Sequence, residues 1–125
     1  MRTVRVVNLD TGKELAARAG VAASLWARGR GLLGRRSLPP DEGLVLEACR
    51  QIHMFFMAFP IDVLHVRRLS PEEGQVTRVL HGIRPNRIGP WVWRSDYVVE
   101  LPAGTAAATG TEAGHRIGLK AVEPE

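Results

Sequence analysis

The chain is short of several things that small proteins often rely on. It has one cysteine, Cys49, in 125 residues, so an intramolecular disulfide is impossible and no oxidising compartment is needed for stability. Aromatic residues make up 6% of the sequence, and tyrosine occurs once. No apolar run approaches the roughly 20 residues that span a bilayer as a helix. The longest, Met54 to Ile61, has only the length of a core strand. The first ten residues are interrupted by Arg2, Arg5, Asn8 and Asp10 and hold no apolar stretch of signal-peptide length. Together these absences predict a cytoplasmic protein without a membrane span. Lysine is also scarce, because nearly all the positive charge is arginine.

What is present describes one folded domain over residues 1–125. The sequence is 45% hydrophobic and 24% charged, a balance that builds a core rather than a disordered tail. Lys plus Arg, 17, against Asp plus Glu, 13, leaves a net charge of +4. An acidic solvating protein is excluded, and an anionic partner is conceivable.

Short alternating segments dominate. Thr3 to Leu9 and Lys13 to Arg18 read as a hairpin around the Asp10-Thr11-Gly12 turn. Ser24 is a suitable N-cap for a short helix carrying Leu25, Trp26, Leu32 and Leu33, which Gly29, Gly31 and Gly34 cut short. Strands are expected from Leu44, over Ile52 to Phe59, over Ile61 to Leu69 and over Gln75 to His81. Because both faces of Ile52 to Phe59 are apolar, that segment is expected at the centre of the domain. Ile83 to Trp93, with two prolines and two tryptophans, reads as a long loop. Tyr97 to Leu101, an alanine-rich helix ending at Gly110 and a strand over Arg116 to Val122 complete the chain. The fold class is therefore mainly β: an antiparallel sandwich, jelly-roll-like, or a partly closed barrel, with two short helices.

Chemistry-bearing motifs are sparse. Gly29-Arg30-Gly31-Leu32-Leu33-Gly34 matches G-x-G-x-x-G, but it lacks the preceding strand and the distant acid of a dinucleotide site, and Arg35-Arg36 lacks the lysine and hydroxyl of a P-loop. A helix breaking into a glycine turn explains the same letters. The four histidines show no H-x-H, H-x-x-x-H or C-x-x-C neighbourhood, so no metal or cofactor is expected. His53 and His65 with Asp62 form the least implausible metal group. Cys49 and His53 could pair thiol with base only through a turn at Arg50-Gln51. Asp62 lies in core-like sequence and needs donors, for which an arginine from the Arg28 to Arg36 region, or Arg84, is the expected source. Glu100, between Val99 and Leu101, raises the same question.

With these residues in view, the sequence resembles domain-of-unknown-function family 192, an uncharacterised protein family, over roughly Ala22 to Leu119. Ala27-Arg28-Gly29-Arg30-Gly31-Leu32-Leu33-Gly34-Arg35 resembles the family's R-x-x-G-L-M-x-R block, with Leu33 where methionine is usual. Gly43-Leu44-Val45-Leu46 is similar to its first core strand. Cys49, Ile52-His53-Met54-Phe55-Phe56-Met57 and Pro60-Ile61-Asp62-Val63 resemble its most specific segment, with Met54 replacing threonine. Val99-Glu100-Leu101-Pro102-Ala103-Gly104 is similar to the L-E-L-P-A-G signature, and His115 stands where Gly-Asp is frequent. The resemblance implies a jelly-roll-type β-sandwich with short accessory helices and no established activity, cofactor or catalytic residue. Many relatives are exported or membrane-anchored, from which the cytoplasmic expectation departs.

The favoured reading is a non-enzymatic binding or interaction module of unknown ligand. Its candidate surface joins Arg28, Arg30, Arg35 and Arg36 with Arg84, Arg87, Trp91 and Trp93, where indole faces and guanidinium groups would meet an anionic ligand. Nucleic acid is a less favoured member of that class, since no recognition motif is present. The plain alternative is that both tryptophans seal the core. A second function class is a metal-dependent or small-molecule-processing enzyme using His53, Asp62 and Glu100, and a third is an oligomeric scaffold.

Overall fold

Alternation in the first twenty residues produces the expected hairpin: β1 (Arg2–Asn8) pairs antiparallel with β2 (Glu14–Ala22). The computed structural model describes residues 2–22, 37–54 and 57–122. β3 (Glu42–Glu47), β4 (Ile61–Arg68), β5 (Glu73–Ile83), β6 (Tyr97–Pro102) and β7 (Arg116–Ala121) follow. A single turn of helix, α1 (Thr105–Ala108), precedes β7. The strands close in the order β1-β2-β3-β6-β4-β5-β7, with β7 returning to β1. All neighbours are antiparallel except β2 and β3.

The sandwich expectation is thus replaced by a closed barrel. The physical difference lies in β1, which hydrogen-bonds to both β2 and β7 and so leaves no free edge where two sheets would part. Register shifts in β1–β2 and in β4–β5 mark the bulges that bend the strands. Of the two expected helices, the alanine-rich one is present after Gly104, whose φ of 95° suits glycine. The one starting at Ser24 lies outside the described residues, as does the 29–34 glycine motif.

Two apolar clusters divide the core. Inside the barrel are Val6, Leu15, Val45, Leu64, Val66, Tyr97, Val99, Leu101, Ile117 and their neighbours. Outside it, against β3, β6 and β4, lie Leu44, Leu46, Ile61, Val63 and Val98, joined by Leu38, Cys49, Ile52, Met54 and Leu80. Ile61 to Val66 is consequently buried at every position. The strands buried on both faces are β4 and β6; of the expected Ile52 to Phe59 strand, Phe55 and Phe56 lie outside the described residues and the rest carries only an isolated bridge.

That correction has a simple cause. The chain leaves β3 at Glu47, beside Tyr97, and enters β4 at Ile61, beside Pro102 and Ile83, so it must travel the barrel's length. It does so on the outside. The segment from Ile83 to Tyr97 makes the opposite journey, and the two segments pair with each other. The Met54 amide donates to Arg87 O at 2.7 Å, Asn86 to Met54 O at 2.8 Å, Gly89 to Ile52 O at 3.0 Å and Val92 to Arg50 O at 2.8 Å. His53 and Ile88 form an isolated bridge. Ile52 and Met54 still alternate inward, but bends at Ala58 and Phe59 end the pattern before Pro60. The apolar sequence encodes an outer layer over the barrel wall.

Candidate functional surface

The outer layer has two sides. Ile52, Met54 and Gly89 face the barrel wall and are buried, whereas Gln51, His53, Arg87 and Ile88 are exposed. Bridge partners project to the same side of a ladder, which places His53 and Ile88 together on the outward side. Further along the same loop, Trp91 is 50% and Trp93 77% exposed. Their ring centroids are 5.5 Å apart at 73°, an edge-to-face pair. The alternative in which both indoles seal the core therefore does not hold. Val92 between them turns partly inward, and period-two alternation leaves its neighbours in solvent.

Arg84, Arg87 and Arg94 are exposed on this loop, and Arg50 is exposed on its partner segment. No acid occurs from residue 84 to residue 95. The described half of the sequence-derived surface is thus one contiguous loop of arginine and tryptophan. Arg28, Arg30, Arg35 and Arg36 lie outside the described residues. Sequence reading passed over Ile88, whose 61% exposure is unusual for so apolar a side chain. Nothing in its neighbours distinguishes it from a core residue.

The three polar candidates do not meet on one face. Asp62 pairs across the sheet with Leu101 and so points toward the barrel interior. Its Oδ1 accepts from the Gly82 amide at 2.8 Å, and its Oδ2 from Gly104 at 3.0 Å and Ala106 at 2.9 Å. Backbone amides occupy the place expected for an arginine. Asp62 anchors α1 and the end of β5 over one mouth of the barrel. Glu100, one position along on β6, is flanked by Leu44 and Val63 and faces the outer cluster. Burial in that apolar layer pushes its carboxyl up to about 7. His53 is on the outward side of the layer, beyond both.

His65 lies beneath the layer, fully buried. Ser95 Oγ is 2.8 Å from His65 Nδ1 and 2.6 Å from Cys49 O. The carbonyl can only accept, so the serine hydrogen is committed to Cys49, and His65 donates from Nδ1. Nε2 is then a buried lone pair without a partner among the described residues. Burial, aided by Arg78, lowers the imidazole to about 4, which keeps it neutral. This arrangement withholds the base that a nucleophilic serine needs. Cys49 is itself buried, its thiol donating to Gln51 O at 3.3 Å, and His53 does not share its environment.

A depression of about 310 Å³ beside Ser95 is lined by Glu47, Ala48, Arg50 and Asp96. Its carboxylates are already engaged: Glu47 accepts from the Arg68 guanidinium at 2.7 Å and Asp96 from the Arg68 amide at 2.7 Å. Among the described residues no group of three His, Cys, Asp or Glu side chains could hold a metal ion. No described helix is long and apolar enough to cross a membrane.

These features define a small closed β-barrel wrapped by an irregular outer layer. The chain belongs to the DUF192 family, described as Uncharacterized ACR, whose model matches residues 6–119. A search of the curated proteins returned no match. Among solved structures, one neighbour is a Sinorhizobium meliloti protein provisionally described as a transcription regulator. It is 24% identical, with a TM-score of 0.73 over 94% of this chain and 92% of that one. Another is a protein of unknown function from Novosphingobium aromaticivorans, 21% identical, with a TM-score of 0.74 over 92% and 82% of the two chains. At these identities the likeness carries the fold.

Proposed function

We propose that the protein is a non-enzymatic binding module that takes anionic ligands on the Arg84 to Arg94 loop. The observation that carries this reading is the solvent-exposed Trp91–Trp93 pair, set among Arg84, Arg87 and Arg94 with no acid between residues 84 and 95. Planar guanidinium forks bind phosphate and carboxylate oxygens, and exposed indoles add contact area at low entropic cost. One structural neighbour is provisionally described as a transcription regulator, so an oligonucleotide is included among the anions to be tried. A ligand that binds only the folded chain raises its melting temperature. A thermal-shift panel of polyphosphate, heparin, oligonucleotide and anionic lipid should therefore contain a hit that R84A/R87A/R94A loses. A panel in which no anion shifts the wild type ends this reading.

A second reading, an enzyme, draws on one observation: Glu100 in an apolar layer, with a carboxyl that titrates near neutrality. It would use Glu100 beneath the outer layer, with His53 on the far side of that layer and Asp62 confined to a structural role. Stoichiometric metal in the purified protein, lost in E100Q, would favour it over the binding module.

A further inference from the structure

We infer that the outward side of the two-segment layer docks on an anionic lipid bilayer, an inference that rests on the anion-binding reading above. Its apolar members are Ile88, Trp91 and Trp93, exposed to 61%, 50% and 77%. All three come from one stretch of six residues. Soluble surfaces seldom gather large apolar side chains so closely without a partner. The kind of partner follows from the chemistry of the set.

Indole has an apolar body and a polar N–H, and it settles at the boundary between headgroups and acyl chains. Ile88 has no polar atom and no π face, so a stacked base gains little from it, whereas an acyl layer accommodates it. The edge-to-face contact also engages a ring face that base stacking would need. A bilayer interface, which takes up apolar edges and faces alike, asks for no such free platform. Arg84, Arg87 and Arg94 lie on the same stretch and Arg50 on the segment paired with it, all four exposed. Arginines at an anionic leaflet each contribute about fivefold in binding. His53, the outward partner of Ile88, is compatible with a headgroup region. The docking is peripheral, by loop insertion, and leaves the barrel outside the membrane.

The test uses the full chain and vesicles of phosphatidylcholine alone or with about 30% phosphatidylserine, followed by co-sedimentation. Binding to the serine-containing vesicles should exceed binding to phosphatidylcholine at least tenfold. W91A/W93A should lower it at least tenfold, and R84A/R87A/R94A should abolish the preference for the anionic lipid. Both variants lie on an exposed loop, and their melting temperatures provide the check on folding. Dibrominated lipid should quench the wild type's fluorescence more strongly than that of W91F/W93F. Retained binding to an oligothymidylate without vesicle binding would overturn the lipid inference and preserve the anion-binding reading. Binding to neither would overturn both.

Discussion

Asp62 and Glu100 occupy neighbouring strands of one sheet but point to opposite faces of it. Asp62 is aligned with Leu101 and Val63 with Glu100, so the two acids are separated by the thickness of the barrel wall. The consequences differ: one carboxylate meets three amides, and the other meets an apolar layer.

For Asp62 the prediction is structural. Removing the carboxylate in D62A leaves the Gly82, Gly104 and buried Ala106 amides without their acceptor, and losing a hydrogen bond to a charged group costs about 1.5–3 kcal/mol. D62A is expected to lose about 3 kcal/mol in urea unfolding. D62N, which keeps the volume but turns one acceptor into a donor, should recover only part of it. A loss below about 1 kcal/mol in D62A would show that the three bonds are dispensable.

Glu100 and His65 set opposite pH dependences. Glu100 favours its protonated form up to about pH 7 against an ordinary 4.5, so its contribution is full below pH 4.5 and is lost as pH rises to 7. His65 favours its neutral form down to about pH 4 against an ordinary 6.5, so its contribution is full above pH 6.5 and is lost as pH falls to 4. Each slope is about 1.4 kcal/mol per pH unit. Between pH 4.5 and 6.5 they cancel. E100Q removes one slope, so its stability relative to wild type should rise across this window and reach about 3 kcal/mol above pH 7. A difference that stays constant with pH would contradict the burial of an ionisable Glu100.

Tyr97 and Gly74 form a tight spot in the barrel. The Tyr97 hydroxyl is buried without a partner among the described residues, and burial drives it up to about 12. A Cβ on Gly74 would stand 2.5 Å from that hydroxyl and would also collide with Val66 Cγ1. G74A is therefore expected to cost about 1–3 kcal/mol through overpacking. Y97F removes an unsatisfied polar atom and should be neutral or stabilising by about 1 kcal/mol. In the double variant the cost of G74A should shrink, and a double-mutant cycle by chemical denaturation measures the coupling. Strict additivity would place the clash on Val66 alone.

Much of the wall was legible because period-two alternation survives wherever a strand separates two environments. Thr3 to Leu9, Ile61 to Leu69 and Tyr97 to Leu101 each fell within a residue or two of an observed strand. The arginine-tryptophan loop was legible too, since prolines and a glycine break any regular element there. Ile52 to Phe59 was not, because an apolar run looks the same whether it joins a sheet or lies on one. Nor could residue spacing bring Ser95 to His65, 30 positions away.

By itself the sequence determined the charge balance, the mainly β character, the impossibility of an internal disulfide and the segments that become strands. Each follows from local composition and periodicity. Only the tertiary structure decided that the barrel closes, that β4 and β6 are the strands buried on both faces, and that Trp91 and Trp93 remain in solvent. These outcomes depend on contacts between segments far apart in the sequence. The outer layer buries Ile52, Met54 and Gly89 against the wall, and its remaining face, rich in arginine and indole, stays in solvent.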